Sequence, residues 1–208
     1  MPNEQNPRLT PLLPSEWDEE ILDALGAFPG SLNFVLTQWN ARSDDLRGMH
    51  TLGLFAHYPE LAKAFMTLNR HVATNSTLSA RARELLILRI SWLKRSEYEF
   101  VQHIILGRRA GLSDEEIERL QLGPDVPGWS KEDAELIRVA DELHEKAGIS
   151  ELTWDRLSGR YNHRQIMDMI FLIGCYEMLG MAIKSFNIPL EPGVTPLDPA
   201  TQARMFEL

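Results

Sequence analysis

The apolar segments of this chain are separated by helix punctuation, and none alternates apolar and polar residues with period two for long enough to form a sheet. Pro14 and Ser15, followed by Glu16, Asp18, Glu19 and Glu20, read as a capped start with acids in the first turn. That helix is expected to end near Phe28-Pro29-Gly30. Further helices are predicted over residues 31–41, 43–55, 59–75, 79–94, 96–110, 113–120, 130–147, 150–161 and 163–186. Ser79, Ser96, Ser113, Ser130 and Ser150 stand at starts, Pro59 suits a first turn, and Gly111 and Gly148 sit where C-terminal caps belong. The pattern predicts an all-α, single-domain helical bundle over residues 15–188. An extended head over residues 1–14 precedes it. A tail over residues 189–208 carries Pro189, Pro192, Pro196 and Pro199, and is expected to lie extended against the body or a neighbouring subunit.

At 208 residues, with 44% hydrophobic and 25% charged side chains, the chain is long enough and apolar enough for one real core, which excludes a mostly disordered protein. Twenty-one basic residues against thirty acidic ones leave −9. Phosphate backbones and anionic lipid surfaces need a basic face, so neither nucleic acid nor a membrane is expected as partner. Residues 1–14 lack the charged and apolar regions of a signal peptide. The longest uninterrupted apolar run, residues 169–176, lies between Asp168 and Glu177 and falls short of the roughly 20 residues of a membrane span, so it reads as a core helix. Cys175 is alone, cannot form an internal disulfide, and fits a reducing, cytoplasmic location. Met49, Met66, Met167, Met169, Met178, Met181, Trp39 and Phe171 read as mostly core. Asp168 and Glu177 read as an exposed face or an intersubunit ion pair.

Chemistry concentrates in residues 83–112. The first helix there is apolar almost all round (Leu85, Leu86, Ile87, Leu88, Ile90, Trp92, Leu93), which is the pattern of a core helix. Glu84 opens it, two residues beyond the capping-box position of Ser79. A carboxylate on a core helix is costly unless paired, and desolvation raises its pKa toward the range of a proton-transfer group. A structural ion pair with Arg81 or Arg89, or exposure of the first turn, explains Glu84 equally well. After a break at Lys94-Arg95, Ser96, Glu99 and His103 fall three and four apart on one helical face, and Gly107 continues that face and leaves space beside it. Glu97 is expected near Phe100 and Val101, with Tyr98 beside it. A histidine one turn after a glutamate can share a proton with it, and the helix N-terminus favours an anionic substrate or a developing enolate. Against this, Ser96-x-x-Glu99 has the spacing of a capping box, and a histidine beside an apolar stripe is commonly a satisfied core residue. Glu99, His103 and Glu84 make a poor metal set without a second histidine or paired cysteines, so no metal is expected. Neither phosphate-binding glycine motif is present. Cys175, in its apolar stretch, reads as inert.

Arg83-Glu84, the SEYEFVQH run of residues 96–103 and the GRRAGLSDEEI run of residues 107–117 resemble the carboxymuconolactone decarboxylase family of the alkyl hydroperoxidase D-like superfamily. The resemblance covers roughly residues 32–189. It implies an all-helical protein, oligomeric as a trimer or hexamer, acting on a small molecule without a cofactor. The thiol peroxidase branch carries cysteines at the positions of Ser96 and Glu99, ahead of the histidine at His103, with a relay glutamate at Glu84. Both cysteines are missing here, and neither Ser96 nor Glu99 supplies a thiolate. A peroxidase or antioxidant reductase is therefore the weakest reading. The decarboxylase branch, with two glutamates two apart before the histidine, matches Glu97, Glu99 and His103. What it implies is a lyase in which His103 and Glu99 form the acid–base pair, Glu84 relays protons, and Glu97 or Tyr98 orients the substrate. Ser96, Tyr98, Trp92 and Phe100 are the expected substrate-binding residues. The alternative is a binding or scaffold protein of the same fold, in which Glu99 bonds back to the Ser96 backbone.

Overall fold

The structure, a computed structural model, describes residues 6–207. The first five residues of the expected head lie outside them. Among the described residues there are eleven α-helices and no strand. They are α1 (Glu19–Leu25), α2 (Pro29–Asn40), α3 (Met49–Phe55), α4 (Pro59–Arg70), α5 (Ala80–Leu93), α6 (Glu97–Arg109), α7 (Asp114–Leu120), α8 (Lys131–Lys146), α9 (Glu151–Ser158), α10 (His163–Phe186) and α11 (Pro199–Glu207). The all-α expectation holds. The chain divides into two compact units, one running to His71 and taking in Met181–Pro196, the other Val72–Gly180 with the residues from Leu197 onward.

In the first unit α1 and α3 pack against α4. The first helix starts later than expected. Pro14–Glu16 form a short 3-10 turn, and Asp18, not Ser15, caps α1 by accepting from the Ile21 amide. Residues 6–13 are not helical. The Arg8 amide donates to Phe186 O at 2.8 Å, the Leu12 amide donates to Gly53 O at 3.1 Å, and the Trp17 indole donates to Leu12 O. Residues 43–48 are not helical, because Asp45 turns back to hold Arg47 through two 2.6 Å contacts and Gly48 takes a left-handed conformation. A single π-turn, His71–Asn75, follows α4 where a continuous helix was expected. Residues 189–196 are not helical and turn at Pro192 and Gly193, with the His50 ring bonded to Pro189 O and the His50 amide donating to the buried Glu191 carboxylate.

The second unit is built around α5, which packs against α6, α7 and α8. Its apolar residues are the most thoroughly buried of the chain, with Leu85, Leu86, Leu88 and Ile90 at 0% exposure. Ser79, Ser113, Ser130 and Ser150 cap α5, α7, α8 and α9 as predicted, Ser113 in a full capping box with Glu116. Gly111 closes α6 at φ 91°, but at the end of α8 the left-handed residue is Ala147, one before the glycine expected there. The tail departs from its prediction. Residues 199–207 are helical, started by Asp198, whose carboxylate accepts from the amides of Ala200 and Thr201. Met205 is fully buried.

The long helix α10 is apolar and long enough to cross a membrane by length and composition, with 56% of that window buried. Met169 lies in the core, whereas Met167, Phe171, Met178 and Met181 are about half exposed, contrary to expectation. Helical rotation places them on the face opposite Met169, Leu172, Ile173, Tyr176 and Leu179. Asp168 is buried and accepts from the amide and hydroxyl of Thr77, and Glu177 pairs with His144 of the same chain at 2.7 Å.

Candidate functional site

The end of α5 decides the site. Arg95 adopts φ 53°, its amide donates to Trp92 O, and the Ser96 amide reaches back to Ser91 O at 2.9 Å. This is a Schellman closure, with an arginine where glycine is usual. It consumes the Ser96 N–H, the group that Glu99 would take in a capping box. Ser96 stands at the N-cap of α6 but makes no side-chain capping bond, and its Oγ is buried without a hydrogen-bond partner among the described residues. The capping explanation of Ser96 and Glu99 therefore fails, because the preceding helix ends on the same amide.

Glu99 turns inward and is 3% exposed. Its carboxylate occupies the space where a side chain at position 180 would stand. A Cβ on Gly180 would lie 2.5 Å from Glu99 Oε2 and 3.6 Å from Ser96 Cβ. So α6 and α10 enclose Ser96 and Glu99 together, and the glycine of α10 makes room for the acid.

One turn along α6, His103 Nδ1 lies 2.8 Å from Glu84 Oε2, with the two side chains only 12% and 11% exposed. An ionised carboxylate accepts and does not donate, so in this contact Nδ1 is the donor and Nε2 is the nitrogen left to exchange a proton. Neither arginine offered by the sequence takes Glu84. Arg81 holds Glu116 and Asp133, and Arg89 holds Asp141 while donating to the Leu120 and Gln121 carbonyls. The edge of the His103 ring meets Tyr176 of α10, with centroids 5.0 Å apart and planes 85° apart. Burial, then the nearby Glu84 carboxylate, hold the Tyr176 phenol well above its usual pKa, so it stays a neutral hydroxyl. Burial, then Glu99, push the Cys175 thiol up to about 12, which leaves it without thiolate at neutral pH.

The other expected residues sit elsewhere. Glu97 accepts from the Leu197 amide and from Gln202 Nε2, both at 2.9 Å, and so fastens the start of the tail instead of joining His103. Trp92 and Phe100 are 1% exposed and lie against each other at 5.4 Å, in the core. Tyr98 is buried beside them in sequence, at 6% exposure. Gly107 leaves no open space, since a Cβ there would meet Leu88 and Leu112 at 3.0 and 3.2 Å; it lets α6 approach α5. Sequence reasoning missed Tyr176 and Gly180. The one available signal was an isolated glycine inside an apolar helix, which implies a close packing partner.

Part of this arrangement falls within a stretch that matches a known family. Residues 59–142, which include Glu84, Glu99 and His103, match the carboxymuconolactone decarboxylase family. Over that stretch, the chain is similar to the carboxymuconolactone decarboxylase family. Nothing among curated proteins matches it. Two solved structures are similar to this chain in fold. One is a peroxidase-related protein from a Silicibacter species, 17% identical, with a TM-score of 0.67 over 97% of this chain and 99% of that one. The other is a protein of unknown function from Agrobacterium tumefaciens, described as a candidate antioxidant defence protein AhpD. It is 20% identical, with a TM-score of 0.61 over 65% of this chain and 94% of that one.

Proposed function

We propose that this protein is a cofactor-independent lyase of the decarboxylase kind, acting on a small carboxylated or ring-derived metabolite. The observation that carries the proposal is the Glu84–His103 contact at 2.8 Å between two nearly buried side chains. Loss of carbon dioxide from a β-keto acid, or from a vinylogous lactone acid, leaves its bonding electrons as an enolate. The enolate must then receive a proton at carbon. His103 takes up a proton from solvent at Nε2 and delivers it to the enolate carbon, while Glu84 on Nδ1 fixes the ring through the transfer. Glu99 and the neutral Tyr176 hydroxyl complete the acid–base surroundings. A thiol mechanism is disfavoured, since positions 96 and 99 carry no sulfur and Cys175 stays protonated.

The test is carbon dioxide release from a panel of small β-keto acids and lactone carboxylates in deuterated water. Turnover that places one deuteron on product carbon is expected. His103→Ala should lower it by roughly 10²–10⁴-fold, the usual contribution of a general acid, with unchanged helical circular dichroism. Glu84→Gln should lower it by about 10–100-fold, as loss of an orienting partner does. Undiminished turnover in His103→Ala and Glu99→Gln would remove both from the mechanism. The absence of release from every acid would favour a binding role for the fold.

A further inference from the structure

Tyr176 of α10 is only 6% exposed, yet its hydroxyl makes no hydrogen bond with any described residue. A buried phenol normally finds a partner, as Tyr161 does by donating to Glu132 Oε1 at 2.8 Å. A donor taken out of water and left unmade is destabilising, so an unspent one calls for a reason. The ring that carries it packs edge-on against His103, with centroids 5.0 Å apart. Ser96 Oγ is likewise buried and unspent, but it lies with Glu99 against Gly180, two turns of α6 away from His103. A cation stands uncommitted in the same neighbourhood. Arg83 precedes Glu84 on α5, is partly buried, and donates to Leu78 O at 2.8 Å. It holds no carboxylate among the described residues, whereas Arg81 and Arg89 both do, in a chain of thirty acids and twenty-one bases. Its charge reaches the Tyr176 phenol, where it opposes burial and the nearby Glu84 and Glu99 carboxylates.

We infer that the Tyr176 hydroxyl is the oxyanion donor of this site: it binds the enolate oxygen while His103 protonates the enolate carbon, and Arg83 balances the added charge. This role rests on the lyase reading given above and assigns its second half. As carbon dioxide departs, the broken C–C bond leaves its electron pair in the substrate and the carbonyl oxygen takes the negative charge. Tyr176 donates a hydrogen bond to that oxygen and keeps its proton, because burial and then Glu84 hold the phenol well above its ordinary pKa. His103 then gives the carbon the proton it took from solvent, a C–H bond forms, and the carbonyl double bond returns. An enolate presents its oxygen and its basic carbon on either side of one atom, so two adjoining groups must serve it, and the touching rings of Tyr176 and His103 are such a pair. No protein acceptor competes for the hydroxyl, so no bond is broken when the oxyanion develops, and the contact favours the transition state over the ground state. Arg83 offsets the Glu84 carboxylate, which otherwise disfavours a second negative charge beside it.

Isothermal titration calorimetry on the full chain tests this with the nitronate of nitroethane, a small carbon acid whose anion carries its charge on oxygen as an enolate does. Neutral nitroethane is the control, each freshly dissolved because the two interconvert slowly. The wild-type chain is expected to bind the nitronate at least about tenfold more tightly than nitroethane, and Tyr176→Phe to weaken nitronate binding by about 10–100-fold, the scale of one hydrogen bond to a charged group. The melting temperature of Tyr176→Phe should not fall, since the hydroxyl has no protein partner to lose. Arg83→Gln should weaken the nitronate by about fivefold or more, and Arg83→Lys should restore most of it, because the guanidinium acts here through its charge. With an acid that is turned over, Tyr176→Phe should lower kcat by about 10²–10³-fold and leave KM within about threefold. A wild-type chain without preference for the nitronate, a preference unmoved by Tyr176→Phe, or an undiminished kcat in that variant overturns the inference. The two readings fail separately. A chain that releases no carbon dioxide but binds the nitronate through Tyr176 keeps the oxyanion donor and loses the lyase, and an active chain indifferent to Tyr176→Phe does the reverse.

Discussion

At position 180 a single hydrogen separates two outcomes for the candidate site. Gly180→Ala would bring a methyl group to 2.5 Å from Glu99 Oε2, so the carboxylate must move while the helix itself gains propensity. The expected result is a turnover loss of about tenfold or more with a melting temperature within a few degrees of wild type, measured side by side. Cys175 makes the opposite case, a residue whose chemistry is switched off by its surroundings. With its pKa pushed up to about 12, it holds on the order of a thousandfold less thiolate than a free thiol at pH 7.5. Native alkylation by iodoacetamide should be slower in that proportion, and Cys175→Ser should leave turnover unchanged.

Between elements, buried carboxylates act as fasteners. Glu142 of α8 accepts from the Ser150 amide, the Ser150 hydroxyl and the Thr153 hydroxyl, and thereby joins α8 to the first turn of α9. Burial alone would raise its pKa, yet the hydrogen bonds from Ser150 and Thr153 together hold it below the usual carboxylate value. A carboxylate depressed in the folded state contributes its stability above the unfolded pKa, about 4.3, and loses it as pH falls through the folded value. Glu142→Gln is therefore expected to lower stability by about 1–2 kcal/mol at pH 7 and by much less at pH 3, as read from urea unfolding at the two pH values. The same reasoning places the Arg81–Glu116 pair, which ties α5 to α7, among contacts that weaken in acid.

Over the whole molecule, both compact units are discontinuous, so residues 197–207 are a structural part of the second unit and not an appendage. The second unit is completed by the residues from Leu197 onward, with Met205 fully buried and Glu97 gripping Leu197 and Gln202. Truncation after Pro196 should cost about 2–4 kcal/mol, from the lost burial of Met205 and the lost bonds at Glu97. Glu97→Ala should expose the same segment to proteolysis while leaving turnover within about threefold of wild type, far from the loss a general acid would show.

Helix existence was legible because capping serines and apolar periodicity act within one turn, and four of the five starting serines do cap their helices. The fifth, Ser96, shows where local reading stops: its amide was claimed by the end of α5, a competition the spacing of Ser96 and Glu99 does not encode. By itself the sequence determined that the chain is helical, that Glu84 sits on a core helix, and that Glu99 and His103 share one face of the next. Only tertiary packing decided that Glu84 takes His103 instead of an arginine, that Glu97 serves the tail, and that Tyr176 and Gly180, more than seventy residues downstream, close the site. Partners that are distant in the chain are chosen by which faces bury together. Burial also turned three of the four methionines of α10 outward, because a helix apolar on every side still has only one side toward its own core.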